Sequence, residues 1–127
     1  MDHIAIAVND LAQGLKVFSA LGTPGHREII AEHCVEALII HIGESRLELL
    51  KPLAEDSPVA RFIAKRGEGL HHIAICVADI KRAVRKCAEA GLRPLHYEPK
   101  IGAEGKLVCF LDPKTTMGVL IELTQEV

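Results

Sequence analysis

Two histidines and two glutamates stand at matching places in a sequence that repeats itself. Residues 2–11 read DHIAIAVNDL and residues 71–80 read HHIAICVADI; at an offset of 69, six of the ten positions are identical. His3 falls opposite His72. Further along, Leu47-Glu48-Leu49 and Ile121-Glu122-Leu123 each break an apolar run with an acid. A carboxylate on a buried strand is costly unless it is paired or bound to a cation. His3, Glu48, His72 and Glu122 therefore make four candidate ligands, one His and one Glu from each repeat. Imidazole and carboxylate together suit one divalent transition ion, with Co, Zn, Mn, Ni and Fe all admissible. Any one of the four alone reads as a surface histidine or a solvated strand acid; the equivalent placement in two repeats is what lifts the set. Glu36, inside Val35-Glu36-Ala37-Leu38-Ile39-Ile40, is a fifth acid in an apolar strand, and for it catalysis and pairing with a cation are both open.

The repeat also defines the elements that must position these groups. Each copy opens with an Ile/Val-rich strand of period two. Asp10 or Asp79 follows as an N-cap. An amphipathic helix comes next, with Leu11, Leu15 and Phe18 opposite Ile80, Val84 and Cys87. Gly22 or Gly91 then ends the helix in a left-handed turn. Strand-like runs close each copy: roughly 34–42 and 46–51 in the first, with a weaker run at 27–31, and roughly 94–98, 107–111 and 118–124 in the second. Between them Ser57 and Pro58 start a short helix over about 57–66, which Gly67-Glu68-Gly69 ends. The pattern predicts a single α+β domain of two paired βαβββ modules, about 1–53 and 70–127, with a curved mixed sheet around a metal-binding cleft. Strand alternation sets Ile4, Ile6 and Val8, and likewise Ile73, Ile75 and Val77, under the helices. The other face carries His3, Ala5 and Ala7, and His72, Ala74 and Cys76. His71 falls on the opposite face from His72.

Composition narrows the class of function. The 127 residues suit one domain, and 49% hydrophobic with 25% charged residues is an ordinary globular mix. A net charge of −2, three Phe, one Tyr and no Trp argue against nucleic-acid binding. No apolar stretch approaches the length of a membrane span, and no basic leader with a cleavage site opens the chain, so neither a membrane nor a secretory role is expected. The four cysteines form no C-x-x-C pair and read as buried, reduced thiols of a cytoplasmic protein.

These residues resemble the vicinal oxygen chelate superfamily, which includes glyoxalase I, extradiol dioxygenases and antibiotic-resistance proteins. Within it they resemble the methylmalonyl-CoA epimerase family over nearly the whole chain. The stretches that carry the resemblance are DHIAIAVNDL, LELLKPLAEDSPVARFIAKRGEGLHHIAICV, KIGAEGK with FLDPK, and GVLIELTQ. The resemblance implies a glyoxalase-like fold and one divalent metal per chain, held by His3, Glu48, His72 and Glu122. It implies proton transfer by Glu36 and Glu122, and methylmalonyl-CoA as substrate. The (2R) and (2S) forms would interconvert by α-proton removal and return through an enolate that the metal stabilises. A homodimer is expected on the same ground. A glyoxalase I-like lyase and a metal-free small-molecule binding protein of the same superfamily are the rivals. No residue pattern marks a pocket for the CoA tail; Lys51, Lys65, Arg66, Lys100, Lys106 and Lys114 read as solvated surface cations.

Overall fold

The computed structural model describes residues 1–127. The chain forms two compact units, one of residues 3–71 and one of residues 72–127 together with Met1 and Asp2. In the first, β1 (His3–Ala7) leads into α1 (Leu11–Phe18), then β2 (Thr23–Ile30), β3 (Val35–Ile42) and β4 (Ser45–Pro52). The strand order is β2-β3-β4-β1. β2, β3 and β4 form an antiparallel meander, and β1 joins it parallel to β4. The helix provides the crossover that a parallel pair requires. Helix α2 (Pro58–Arg66) follows, capped by the Ser57 hydroxyl, which accepts from the Ala60 amide, and ended by Gly67 at φ 78°.

The second unit repeats the order with β5 (Gly69–Cys76), α3 (Ile80–Glu89), β6 (Lys100–Ile101), β7 (Leu107–Leu111) and β8 (Ile121–Gln125). Its strands run β5-β8-β7-β6, with β5 parallel to β8. Asp10 and Asp79 cap α1 and α3 as the repeat requires, accepting from the Ala12 and Gln13 amides and from the Arg82 amide.

Each helix covers one face of its own sheet. In the first unit Val8, Leu11, Leu38, Ile40 and Leu49 are buried together, with Ile6, Leu15 and Phe18 packed on them. In the second the buried set is Ile80, Val84, Cys109, Leu111 and Leu123, joined by Val77 and Cys87. Ile75, expected under the helix, is instead 37% exposed.

Several boundaries differ from the sequence expectation. The run near 27–31 is a full strand beginning at Thr23. The run at 94–98 is not a strand and makes a single bridge, Pro94 to Leu111. Pro94 and Pro99 lack the amide hydrogen that a ladder needs, and pairing resumes only at Lys100. The last strand starts at Ile121, because Gly118 turns the chain at φ 84°. Gly91 takes the expected left-handed conformation at φ 88°. Gly22 does not. A Cβ at Gly22 would lie 2.3 Å from the His41 carbonyl oxygen, so this glycine lets the chain pass against β3. All four cysteines are free, but only Cys109 is buried; Cys34 and Cys87 are half-buried and Cys76 is exposed.

Candidate functional site

The face of each sheet that the helices leave uncovered carries the candidate ligands. In the first unit Ala5 pairs with Glu48 and Ile39 pairs with Glu48 across the ladders, so His3, Ala5, Ala7, Ala37, Ile39 and Glu48 share one face. Three of these are alanines, all buried beside the candidate ligands. The imidazole Nε2 of His3 lies 3.5 Å from a Glu48 carboxylate oxygen, and both side chains are buried.

The second unit reproduces the arrangement. Ala74 and Phe110 are the cross-strand neighbours of Glu122. His72 Nε2 lies 3.6 Å from Glu122, again with both side chains buried. Phe110 packs edge-on against the His72 ring at a centroid distance of 5.3 Å and so fixes its orientation.

The separations within these pairs exceed an ordinary N–H···O hydrogen bond, which lies at roughly 2.7–3.2 Å. Two donors each about 2.1 Å from one ion stand roughly 3.0–3.4 Å apart. The pairs stand 0.1–0.2 Å wider than that range, and their nitrogen and carboxylate donors are of the kind a divalent transition ion takes. Burying a His and a Glu side by side in each unit fits a cation far better than it fits a solvated strand face.

His71 and His72 separate as alternation requires. His71 is half-buried, its ring edge-on to Phe62 at 4.9 Å. Burial and then the neighbouring His33 push its pKa down to about 4. It is neutral at neutral pH and lies away from the His72 face.

Glu36 does not join the candidate ligands. In the continuous β3–β4 register Glu36 faces Lys51 and Leu38 faces Leu49, one residue out of phase with Ile39 and Glu48. Its side chain thus belongs to the face of Leu38 and Ile40, under the helix, and its cross-strand neighbour is a cation. The role in proton transfer implied by the resemblance is corrected on this ground. The same registers bring forward two residues that sequence reading passed over as site residues. Glu28 pairs with Ala37, and Lys100 pairs with Val108, placing each on the face of the nearby His–Glu pair. The signal that could have found Glu28 is the alternation of the run at 27–31, had that strand been extended into a register with β3. Lys106, read as a solvated cation, is buried; its ammonium lies 3.0 Å from Asp2.

Residues 2–110 match the family model of the Glyoxalase/Bleomycin resistance protein/Dioxygenase superfamily, and the chain belongs to that superfamily. Among individual proteins, the mitochondrial methylmalonyl-CoA epimerase of Homo sapiens is 41% identical over 98% of this chain and 73% of its own length. The ethylmalonyl-CoA/methylmalonyl-CoA epimerase of Cereibacter sphaeroides is 43% identical over 98% of this chain and 96% of its own. A Streptomyces coelicolor methylmalonyl-CoA epimerase solved in complex with 2-nitronate-propionyl-CoA superposes with a TM-score of 0.95 at 36% identity, covering 100% of this chain and 94% of that one.

Proposed function

We propose that this chain is an epimerase that interconverts the (2R) and (2S) forms of methylmalonyl-CoA. The observation that carries the reading is similarity to epimerases over essentially the full chain. The two buried His–Glu pairs supply chemistry that such a reaction needs. The proton removed sits between a thioester and a carboxylate, and its loss places negative charge on the thioester oxygen. We assign His3, Glu48, His72 and Glu122 as the ligands of one divalent ion, which when bound supplies Lewis-acid stabilisation of that charge.

The remaining work falls to the chain's own carboxylates. Inversion requires a proton to leave one face of the α-carbon and another to arrive on the opposite face. Glu122 serves one face as general base or acid. Its second carboxylate oxygen gives it the capacity for both ligation and proton transfer. Glu36, on the helix side of its sheet, is not available for the other face.

The reading extends to the setting. No helix is long and apolar enough to cross a membrane. The four free cysteines fit a reducing compartment, and we place the protein in the cytoplasm. Ile29 and Leu70 are 67% and 70% exposed, apolar surface that a homodimer would cover; light scattering that gives one chain's mass at micromolar concentration would remove the dimer.

The test is an assay of the purified chain with (2R)- and (2S)-methylmalonyl-CoA, and separately with a hemithioacetal. Interconversion of the CoA esters, lost on chelation and regained with Co²⁺ or another divalent ion, is expected. Turnover of the hemithioacetal alone would favour the glyoxalase I-like lyase. Binding without turnover in a metal-free protein would favour the binding-protein rival.

A further inference from the structure

We propose that Glu28 is the second proton-transfer group, serving the face of the α-carbon that Glu122 does not. The proposal rests on the epimerase reading above. Three features carry it. The β2–β3 register pairs Glu28 with Ala37, which puts Glu28 on the same face as His3 and Glu48, where Glu36 is excluded. Strand spacing puts the Cα atoms of Glu28 and Glu48 roughly 12 Å apart, two strands over and two residues along. Between them on that face lie Ala37 and Ile39 of β3.

Local structure also aims Glu28. The β2–β3 register shifts between Pro24 and Arg27, and such bulges re-aim the side chains beside them. Here the side chain two residues before Glu28 is His26, whose Nε2 lies 3.6 Å from the Glu28 carboxylate. The Glu28 side chain keeps 29% exposure, against 4% for Glu48. A proton-transfer group must exchange its proton with solvent to reset between turnovers, and a ligand need not. The repeat supplies the third feature. Lys100 pairs with Val108 in the second unit as Glu28 pairs with Ala37 in the first, on the ligand face in both. Both modules place a charged residue at this register position, and in the first it is an acid.

The step balances as follows. The Glu28 carboxylate takes the α-proton, and the electron pair of the C–H bond passes into the thioester carbonyl. Glu122, entering protonated, then gives its proton to the opposite face as that electron pair returns to carbon. Glu28 ends protonated and Glu122 ionised, which is the starting state for the reverse direction.

The experiment uses the full chain loaded with Co²⁺. It compares wild type, Glu28→Gln, Glu28→Ala and Glu36→Gln for metal content, thermal melting, inversion of each epimer, and deuterium uptake from D₂O. Glu28→Gln should retain metal and melting temperature while inversion falls by roughly 10²–10⁴. Deuterium uptake should persist from one epimer only. Added formate should restore part of the inversion in Glu28→Ala, which loss of a merely structural carboxylate would not allow. Glu36→Gln should invert at close to the wild-type rate. Inversion by Glu28→Gln at the wild-type rate, or unaided Glu28→Ala that inverts normally, would overturn the proposal and leave the epimerase reading intact. A wild-type protein that inverts neither epimer would overturn both.

Discussion

The two modules share one plan and spend it differently. Around the candidate ligands they agree closely: a His on the first strand, a Glu on the last strand parallel to it, and separations of 3.5 and 3.6 Å. Towards the outer edge they diverge. The first module has eight-residue strands β2 and β3 paired over most of their length, whereas β6 of the second has two residues. The strand pair that carries the candidate ligands is constrained by packing under the helix on one face and by a buried His–Glu pair on the other. The edge strands β2 and β6 carry no candidate ligand, and a proline-bounded loop stands in for most of a strand in the second copy. Duplicated elements stay alike where two demands meet at each residue.

The largest test of this equivalence is ligand removal. His3→Ala and His72→Ala should each strip the metal and cut turnover by more than the roughly 10–100-fold that losing an outer partner of a ligand costs. His71→Ala should keep its metal. Metal content by elemental analysis decides the matter, and retention in one of the two ligand mutants would show that the modules contribute unequally.

Equivalent glycines should respond unequally. Gly22→Ala places a Cβ 2.3 Å from a backbone oxygen, and the strand must shift to admit it. Gly91→Ala meets nothing within 4 Å and bears only the strain of φ 88°. Denaturant melts should give a loss of at least about 3 kcal/mol for the first, at the upper end for overpacking. The second should lose about 1–2 kcal/mol. Equal losses would mean that both glycines serve backbone conformation alone.

Equivalent caps should respond alike. Asp10→Ala and Asp79→Ala each remove a side-chain acceptor at a helix start, and each should cost about 1 kcal/mol. A cost at only one helix would show that the two do not depend equally on their caps.

A further contrast, confined to acid pH, concerns His71. His71 occupies the repeat position of Asp2, yet it is held near pKa 4 by burial and His33. Above its ordinary value of 6.5 the ring is neutral in both folded and unfolded chains and contributes no pH dependence. As pH falls from 6.5 towards 4 the unfolded chain takes up a proton that the folded one refuses, so stability declines across that window. His71→Asn should flatten this part of the melting-temperature profile. An unchanged slope would assign it to other groups.

Much of this molecule was legible in its sequence because the repeat made one half check the other. The strand-helix openings, both Asp caps, the Ser57-Pro58 start of α2 and the separation of His72 from His71 all follow from spacing and alternation. The repeat also singled out His3, Glu48, His72 and Glu122 as candidate ligands, and the structure buries each His beside the Glu of its own module. Glu36 misled because a strand has two faces and an isolated acid does not declare which it occupies. Only the ladder, with Lys51 opposite Glu36 and Glu48 opposite Ile39, decides that. Gly22 misled because a glycine that permits a left-handed turn and one that admits a neighbouring backbone look identical in a sequence. The loop over 94–98 was hidden by the apolar residues that flank its prolines.

The clasp between Lys106 and Asp2 bears on the order in which the protein can form. The ion pair joins residues 104 positions apart, and the Asp2 amide also donates to the Ala74 carbonyl at 2.7 Å. The segment that leads into His3 leaves the ribosome 104 residues ahead of its anchor. At about 5–20 residues per second, that lag is roughly 5–20 s. During it the first module can assemble its meander and helix while the entry to β1 waits without its clasp. A nascent chain stalled short of Lys106 should therefore show protected amides in β3 and β4 and an unprotected amide at Asp2.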